Sequence, residues 1–211
     1  MSNLELGLFY LLDWSDDVVD IREQYPLTDL NKAIELTEKA GIKYPYDPKS
    51  GFPYVMTSDF LLETRHEVKV LSVKHSSELN KPRVREKLEI ERRYWNQQGI
   101  VWNIVTEREI NQIKAKNIEW LAQAKDLEIF GIFGAIKNAC IEYFLESYCS
   151  DSALLPFLAE VENEFDFIPG IGLNIYKHLA YWKRIAFNAD ERVDFSTFLN
   201  NPKLHFVGGK V

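Results

Sequence analysis

Residues 54–64 (YVMTSDFLLET) and 68–74 (VKVLSVK) constrain this chain most. Both are short and rich in β-branched and aromatic residues, and only RHE (65–67) separates them. A three-residue spacer between two such runs forces a hairpin, so the two are antiparallel neighbours. Residues 82–99 (PRVREKLEIERRYWNQQG) follow with helical spacing through Val84, Leu88 and Trp95. Pro82 opens that helix and Gly99 closes it. IVWNIVTE (100–107) reads as a strand again. A hairpin followed by a helix and a further strand builds an α/β sheet with mixed pairing.

The remaining elements surround that frame. Leu4, Leu8, Leu11 and Leu12 share one helical face within residues 4–14. Val18, Val19 and Ile21 form a β-branched run that Pro26 closes, which predicts a strand. Residues 29–41 form a short helix, with Asp29 as N-cap and Gly41 just past its end. INQIKAKNIEWLAQA gives another helix. After about Lys125 the texture changes. Residues 126–149 read as an aromatic-rich helix and 151–163 as a helix kinked near Pro156, with a turn at 169–172. LNIYKHLAYWKRIAF reads as a helix running into a strand, DFSTFLN as a short helix, and KLHFV as a terminal strand. The expected division is a catalytic domain over 1–125 and a smaller, mainly helical domain with a β-wing over 126–211.

Charge is unevenly spread. The chain carries a net charge of −7, yet 74–116 holds ten Lys/Arg against six Asp/Glu, and 126–211 holds seven against twelve. A basic middle suits a nucleic-acid-facing half, and an acidic tail suits a protein partner better than a phosphate backbone. No stretch approaches a membrane span, and a basic leader with a cleavage site is absent. Cys140 and Cys149 read as reduced packing thiols of a cytoplasmic protein.

One pair of residues stands out chemically. Phosphodiester hydrolysis needs an activated water and neutralisation of charge on the phosphate, which Mg²⁺ held by carboxylates supplies. Asp59 on the first hairpin strand and Lys74 at the end of the second are spaced to meet. Ser72 shares a face with Lys74, because side chains alternate along a strand, and the Val73 carbonyl between them can face a metal. Glu5, beside the apolar stripe of the first helix, is a third acidic candidate; alternatively it is a solvated residue near a helix N-terminus. Glu91 supports the site or pairs with a neighbouring arginine. Arg92 and Arg93 contact phosphates or form surface ion pairs, and Arg22 lies along a DNA path or anchors a loop. Trp95, Trp102 and Trp120 follow apolar patterns and read as core.

The strings LELGLFYLLDW, VVDIREQYPL, GIKYP, MTSDFLL, SVK, KLEIERRYWNQQGIVWNIVTEREIN and KNIEWL together resemble the TnsA family, continuously from about Leu4 to Leu121. That family supplies the endonuclease subunit of cut-and-paste bacterial transposons. The resemblance implies a restriction-endonuclease-like core followed by a winged-helix-like domain. It implies catalytic residues Glu5, Asp59 and Lys74, with Mg²⁺ (Mn²⁺ able to substitute) on Glu5, Asp59 and the Val73 carbonyl. It further implies cutting at the 5′ ends of the transposon DNA beside a DDE-type transposase, under an AAA+ ATPase regulator that contacts the C-terminal domain, in the cytoplasm at the nucleoid. Ser72 departs from the glutamine often found there. The chain also begins only four residues before Glu5, where relatives carry a longer segment. These two departures leave open a second expectation, a weak or inactive assembly subunit bridging transposase and regulator.

Overall fold

The computed structural model describes residues 1–148 and 153–193. The chain divides into two units, Met1–Ile110 and Asn111–Val211. No helix of the described residues is long and apolar enough to cross a membrane.

The first unit is a mixed α/β layer, as the sequence predicts. Helix α1 (Asn3–Asp13) leads to strand β1 (Val18–Pro26), helix α2 (Leu30–Lys39), strands β2 (Thr57–Thr64) and β3 (Val68–Val73), helix α3 (Pro82–Gln97) and strand β4 (Val101–Val105). The sheet order is β1-β2-β3-β4. β1 pairs antiparallel with β2, and β2 with β3, in the register Phe60↔Leu71 and Leu62↔Lys69. β4 lies parallel to β3, from Lys69↔Val101 to Val73↔Val105, with α3 as the crossover.

The pleat sends apolar residues to two faces. Leu61 and Val70 meet Ala33 of α2 and Ile90, Tyr94 and Trp95 of α3. Phe60, Leu62, Leu71 and Val73 meet Leu8 of α1 and Ile110. Leu62, Val70 and Ile90 are wholly buried, each contributing about 1.5–3 kcal/mol by leaving water.

The second unit consists of helices α4 (Gln112–Ala122), α5 (Gly134–Ser147), α6 (Leu154–Glu164) and α7 (Ile171–Tyr181). Ile175, Tyr176 and Leu179 of α7 are fully buried. The division at Ile110/Asn111 corrects the expected boundary at 125/126. α4 packs on α7, and its Asn117 amide donates to the carbonyls of Ala189 at 2.8 Å and Glu191 at 2.6 Å. Helical periodicity shows that α4 buries a face but not against which partner.

Three further expectations are revised. The aromatic helix starts at Gly134, because Asp126 caps a separate 3-10 turn, Leu127–Phe130, which Gly131 ends at φ 78°. Pro156 sits in the first turn of α6, where a missing N–H disturbs no helical bond, so no kink arises from it. α7 ends at Tyr181, and no strand follows it up to Val193. The described residues of this unit contain no strand, so the wing is not found among them. DFSTFLN, KLHFV and Cys149 lie outside the described residues.

Gly172 fixes the approach of α6 to α7. A Cβ there would lie 2.7 Å from the Leu158 carbonyl oxygen. Glu162 Oε1 accepts from the backbone N–H groups of Gly170 at 2.7 Å and Gly172 at 2.9 Å, tying the start of α7 to α6. Gly172→Ala is expected to destabilise the unit by about 1–3 kcal/mol through overpacking, read as a lowered midpoint in thermal or urea denaturation.

Candidate active site

Asp59 lies on β2 and Lys74 follows the last residue of β3; the hairpin brings them together as their spacing predicts. Asp59 Oδ2 accepts from the Val73 backbone N–H at 2.6 Å and from Lys74 Nζ at 3.1 Å. Lys74 Nζ also donates to the Val73 carbonyl at 2.7 Å. The Lys74 backbone N–H is held by the Val105 carbonyl at 3.0 Å. One ammonium thus bridges the two oxygens, Asp59 Oδ2 and Val73 O, that the sequence reading assigns to a metal. Asp59 is nearly buried, its side chain 12% exposed against 30% for Lys74. Just past Lys74, Glu107 grips the chain by accepting from the Ser76 backbone N–H at 2.8 Å and from the Ser76 hydroxyl. Those two bonds pull the Glu107 pKa down to about 2.

Behind this pair, Glu91 of α3 forms a second polar centre. It is 6% exposed. Its Oε2 accepts from the hydroxyls of Ser58 (2.8 Å) and Ser72. The indole N–H of Trp95 donates to Ser58 Oγ at 2.8 Å, and that of Trp102 to Ser72 Oγ at 3.0 Å. Indole N–H groups only donate, so each serine passes its own proton on toward Glu91. Burial is the largest influence on Glu91 and raises its pKa, while the two serine bonds pull the other way. Ser72 therefore shares the Lys74 side of the sheet, as expected, but serves Glu91. Glu91 and Lys74 both line an open cleft of about 660 Å³, with Thr57, Met56, Tyr54 and Lys87.

Gln24 completes the surroundings of Asp59. Its Nε2 donates to Asp59 Oδ1 at 3.3 Å, and its Oε1 accepts from the Thr57 hydroxyl at 3.0 Å. Its backbone is left-handed, with φ 48°, which costs a residue bearing a Cβ about 1–2 kcal/mol. The regular pleat reverses here. Ile21 packs with the α1 face, yet Tyr25, four residues on, packs with the α3 face. On β2, Phe60 belongs to the α1 face while Ser58, two residues earlier, bonds Glu91 and Trp95 of α3. The pairs Glu23↔Phe60 and Tyr25↔Ser58 bracket the slip on both strands. Nothing in the spacing of DIREQYP marks Gln24, because the signal is a backbone conformation and a partner strand far along the chain.

Glu5 is not among the hydrogen-bond partners of Asp59. It occupies the N3 position of α1 in a capping box: the Ser2 hydroxyl donates to its Oε1 at 3.0 Å and the Ser2 backbone N–H to its Oε2 at 3.2 Å. The S-x-x-E spacing of residues 2–5 is the signal for that role. Among the described residues, no three His, Cys, Asp or Glu are grouped to hold a metal ion. Arg92 and Arg93 both pair with Glu89, at 2.7 and 2.6 Å, and Arg22 pairs with Asp20 at 2.8 Å. All are surface ion pairs. Trp120, expected as core, carries the Lys177 ammonium 4.6 Å from its ring centroid.

The residues with this geometry fall within a segment of known type. Residues 15–107 match the family described as TnsA-like endonuclease N terminal, and residues 109–188 match TnsA endonuclease C terminal. The chain belongs to the TnsA-like endonuclease family, and the junction of the two matches falls beside the structural division at Ile110/Asn111. It is 41% identical over 132 residues to the transposon Tn7 transposition protein TnsA of Escherichia coli. That alignment covers 61% of this chain and 47% of the relative, so the chain spans about half the length of the curated relative it matches.

Proposed function

We propose that this chain is the endonuclease subunit of a cut-and-paste DNA transposase, hydrolysing phosphodiester bonds at the 5′ ends of the transposon with Mg²⁺, or Mn²⁺ in its place. The observation that carries this reading is the convergence of Asp59 Oδ2 and the Val73 carbonyl on a single cation, the Lys74 ammonium. An all-oxygen donor set suits a hard divalent ion, and the two oxygens already share one positive charge. Glu5 joins the set only by releasing Ser2. When bound, the metal supplies charge neutralisation at the phosphate and acidifies a coordinated water.

The chain's own groups do the rest. The Val73 N–H and the Gln24 amide fix the Asp59 carboxylate. Lys74 has three donors on a flexible stem, enough to hold Asp59 and to turn another to the attacking water or to the charge growing on the phosphate. Lys87 and the basic surface of 74–116 supply counter-charge for the DNA backbone. The mixed sheet with helices on both faces supports a restriction-endonuclease-like core. The acidic second unit is proposed as the winged-helix-like part that meets protein partners, an AAA+ regulator and a DDE-type transposase, in the bacterial cytoplasm at the nucleoid.

A second reading has its own support. Glu5 is engaged in its capping box and, among the described residues, Asp59 alone forms an ion pair with Lys74, which suits a weak or inactive assembly subunit. A strand-resolved nicking assay on DNA carrying the transposon ends, with the partner transposase and Mg²⁺, separates the two. Cuts at the 5′ ends that stop on chelation are expected. Processing of the 3′ ends with the 5′ ends intact would establish the assembly role instead.

A further inference from the structure

We infer that Gln24 is a positioning residue for cleavage, locking the Asp59 carboxylate in the orientation that serves Val73 and Lys74. This rests on the endonuclease reading above. A carboxylate on β2 rotates about its terminal torsion unless both oxygens are held. Oδ2 has two donors, Val73 N–H and Lys74 Nζ; Oδ1 has the Gln24 amide. The amide itself is oriented from behind, because the Thr57 hydroxyl donates to Gln24 Oε1. The reverse amide orientation would set two oxygens against each other, so chemistry fixes the NH₂ toward Asp59.

The backbone points the same way. A glutamine is a poor residue for a left-handed position inside a strand, and glycine would sit there without strain. A chain built for stability alone would carry glycine. Gln24 retains its side chain at a site where the pleat of both strands slips, and that side chain links Thr57, which orients it, to the candidate catalytic carboxylate. Strain beside a reactive group, with the surrounding structure enforcing it, marks a functional position.

This gives an expectation of opposite signs. Gln24→Gly in the full chain is expected to keep or raise the thermal midpoint, because it relieves the backbone. In the nicking assay it is expected to lower the 5′ cleavage rate at saturating DNA by tenfold or more, with the DNA concentration for half-maximal rate changed less than twofold. Thr57→Val is expected to give a smaller loss, and none in the Gln24→Gly background. Cleavage within twofold of wild type in Gln24→Gly, or a loss that follows a lowered midpoint, overturns the proposal. The contact is also read without catalysis. The Gln24 side-chain NH₂ resonance, assigned by its absence in Gln24→Gly, is expected to shift in Asp59→Asn and in Thr57→Val. An unmoved resonance overturns the inference, even in a chain that does not cut. Wild-type silence in the nicking assay with a shifted resonance instead removes the endonuclease reading and leaves the positioning contact standing.

Discussion

Asp59→Asn is expected to reduce 5′-end cleavage by on the order of 10³ while leaving the fold intact. The asparagine keeps one oxygen for the Val73 N–H, whose loss as a buried unpaired donor would otherwise cost about 1–3 kcal/mol. It removes the negative charge that faces Lys74 at 3.1 Å and that would hold a divalent ion. Asp59→Ala is expected to remove cleavage equally and to lower stability as well, since the Val73 N–H and the Gln24 amide then lose their acceptor. Strand-resolved cleavage and a urea titration of both variants check the pair. Cleavage by Asp59→Asn near the wild-type rate would remove Asp59 from the chemistry.

Glu91 carries the second large effect, this time on stability. Glu91→Leu leaves the hydroxyls of Ser58 and Ser72 without their shared acceptor in a buried setting. At about 1–3 kcal/mol for each, a loss of roughly 2–6 kcal/mol is expected from urea denaturation followed by tryptophan fluorescence. Glu91→Gln supplies an acceptor oxygen and is expected to cost far less. The two differ from wild type in pH response too. Burial raises the Glu91 pKa above its ordinary 4.5, so the folded chain holds this proton more tightly than the unfolded one. The resulting stability is complete below the unfolded value and is lost as pH rises through the higher folded value. Wild type minus Glu91→Gln should therefore show stability falling as pH climbs from about 4.5. A difference that rises over that range would place the Glu91 charge in a favourable environment.

The frame of the first unit was readable from residues alone, since period-two strands, a three-residue spacer and a Pro-to-Gly helix leave few arrangements. Asp59 and Lys74 were readable for the same reason: a hairpin fixes which residues meet. What escaped was whatever depends on distant chain. Gln24 reaches Asp59 through strand pairing across a long stretch of sequence, in a backbone conformation that glutamine does not advertise. Ser72 reads only as a departure from the glutamine of relatives; its actual partner, Glu91, comes from helix α3 further along the chain, packed on the same face of the sheet. Glu5 carried two signals at once, a flank position on an apolar helix and an S-x-x-E cap, and the cap is the one expressed. The strand expected after α7 falls on described residues that form none, and the KLHFV strand lies outside the described residues.

The Lys74 ammonium has a consequence for how this site comes into being. A nearly buried carboxylate would oppose folding if nothing offset its charge. Lys74 is encoded fifteen residues along the same hairpin, so the countercharge arrives with the strand pairing itself. On this geometry folding of the unit needs no ion to neutralise Asp59, unlike small domains whose folding is metal binding. Under the proposed metal-dependent endonuclease reading, ion supply would then act on turnover and leave folding alone.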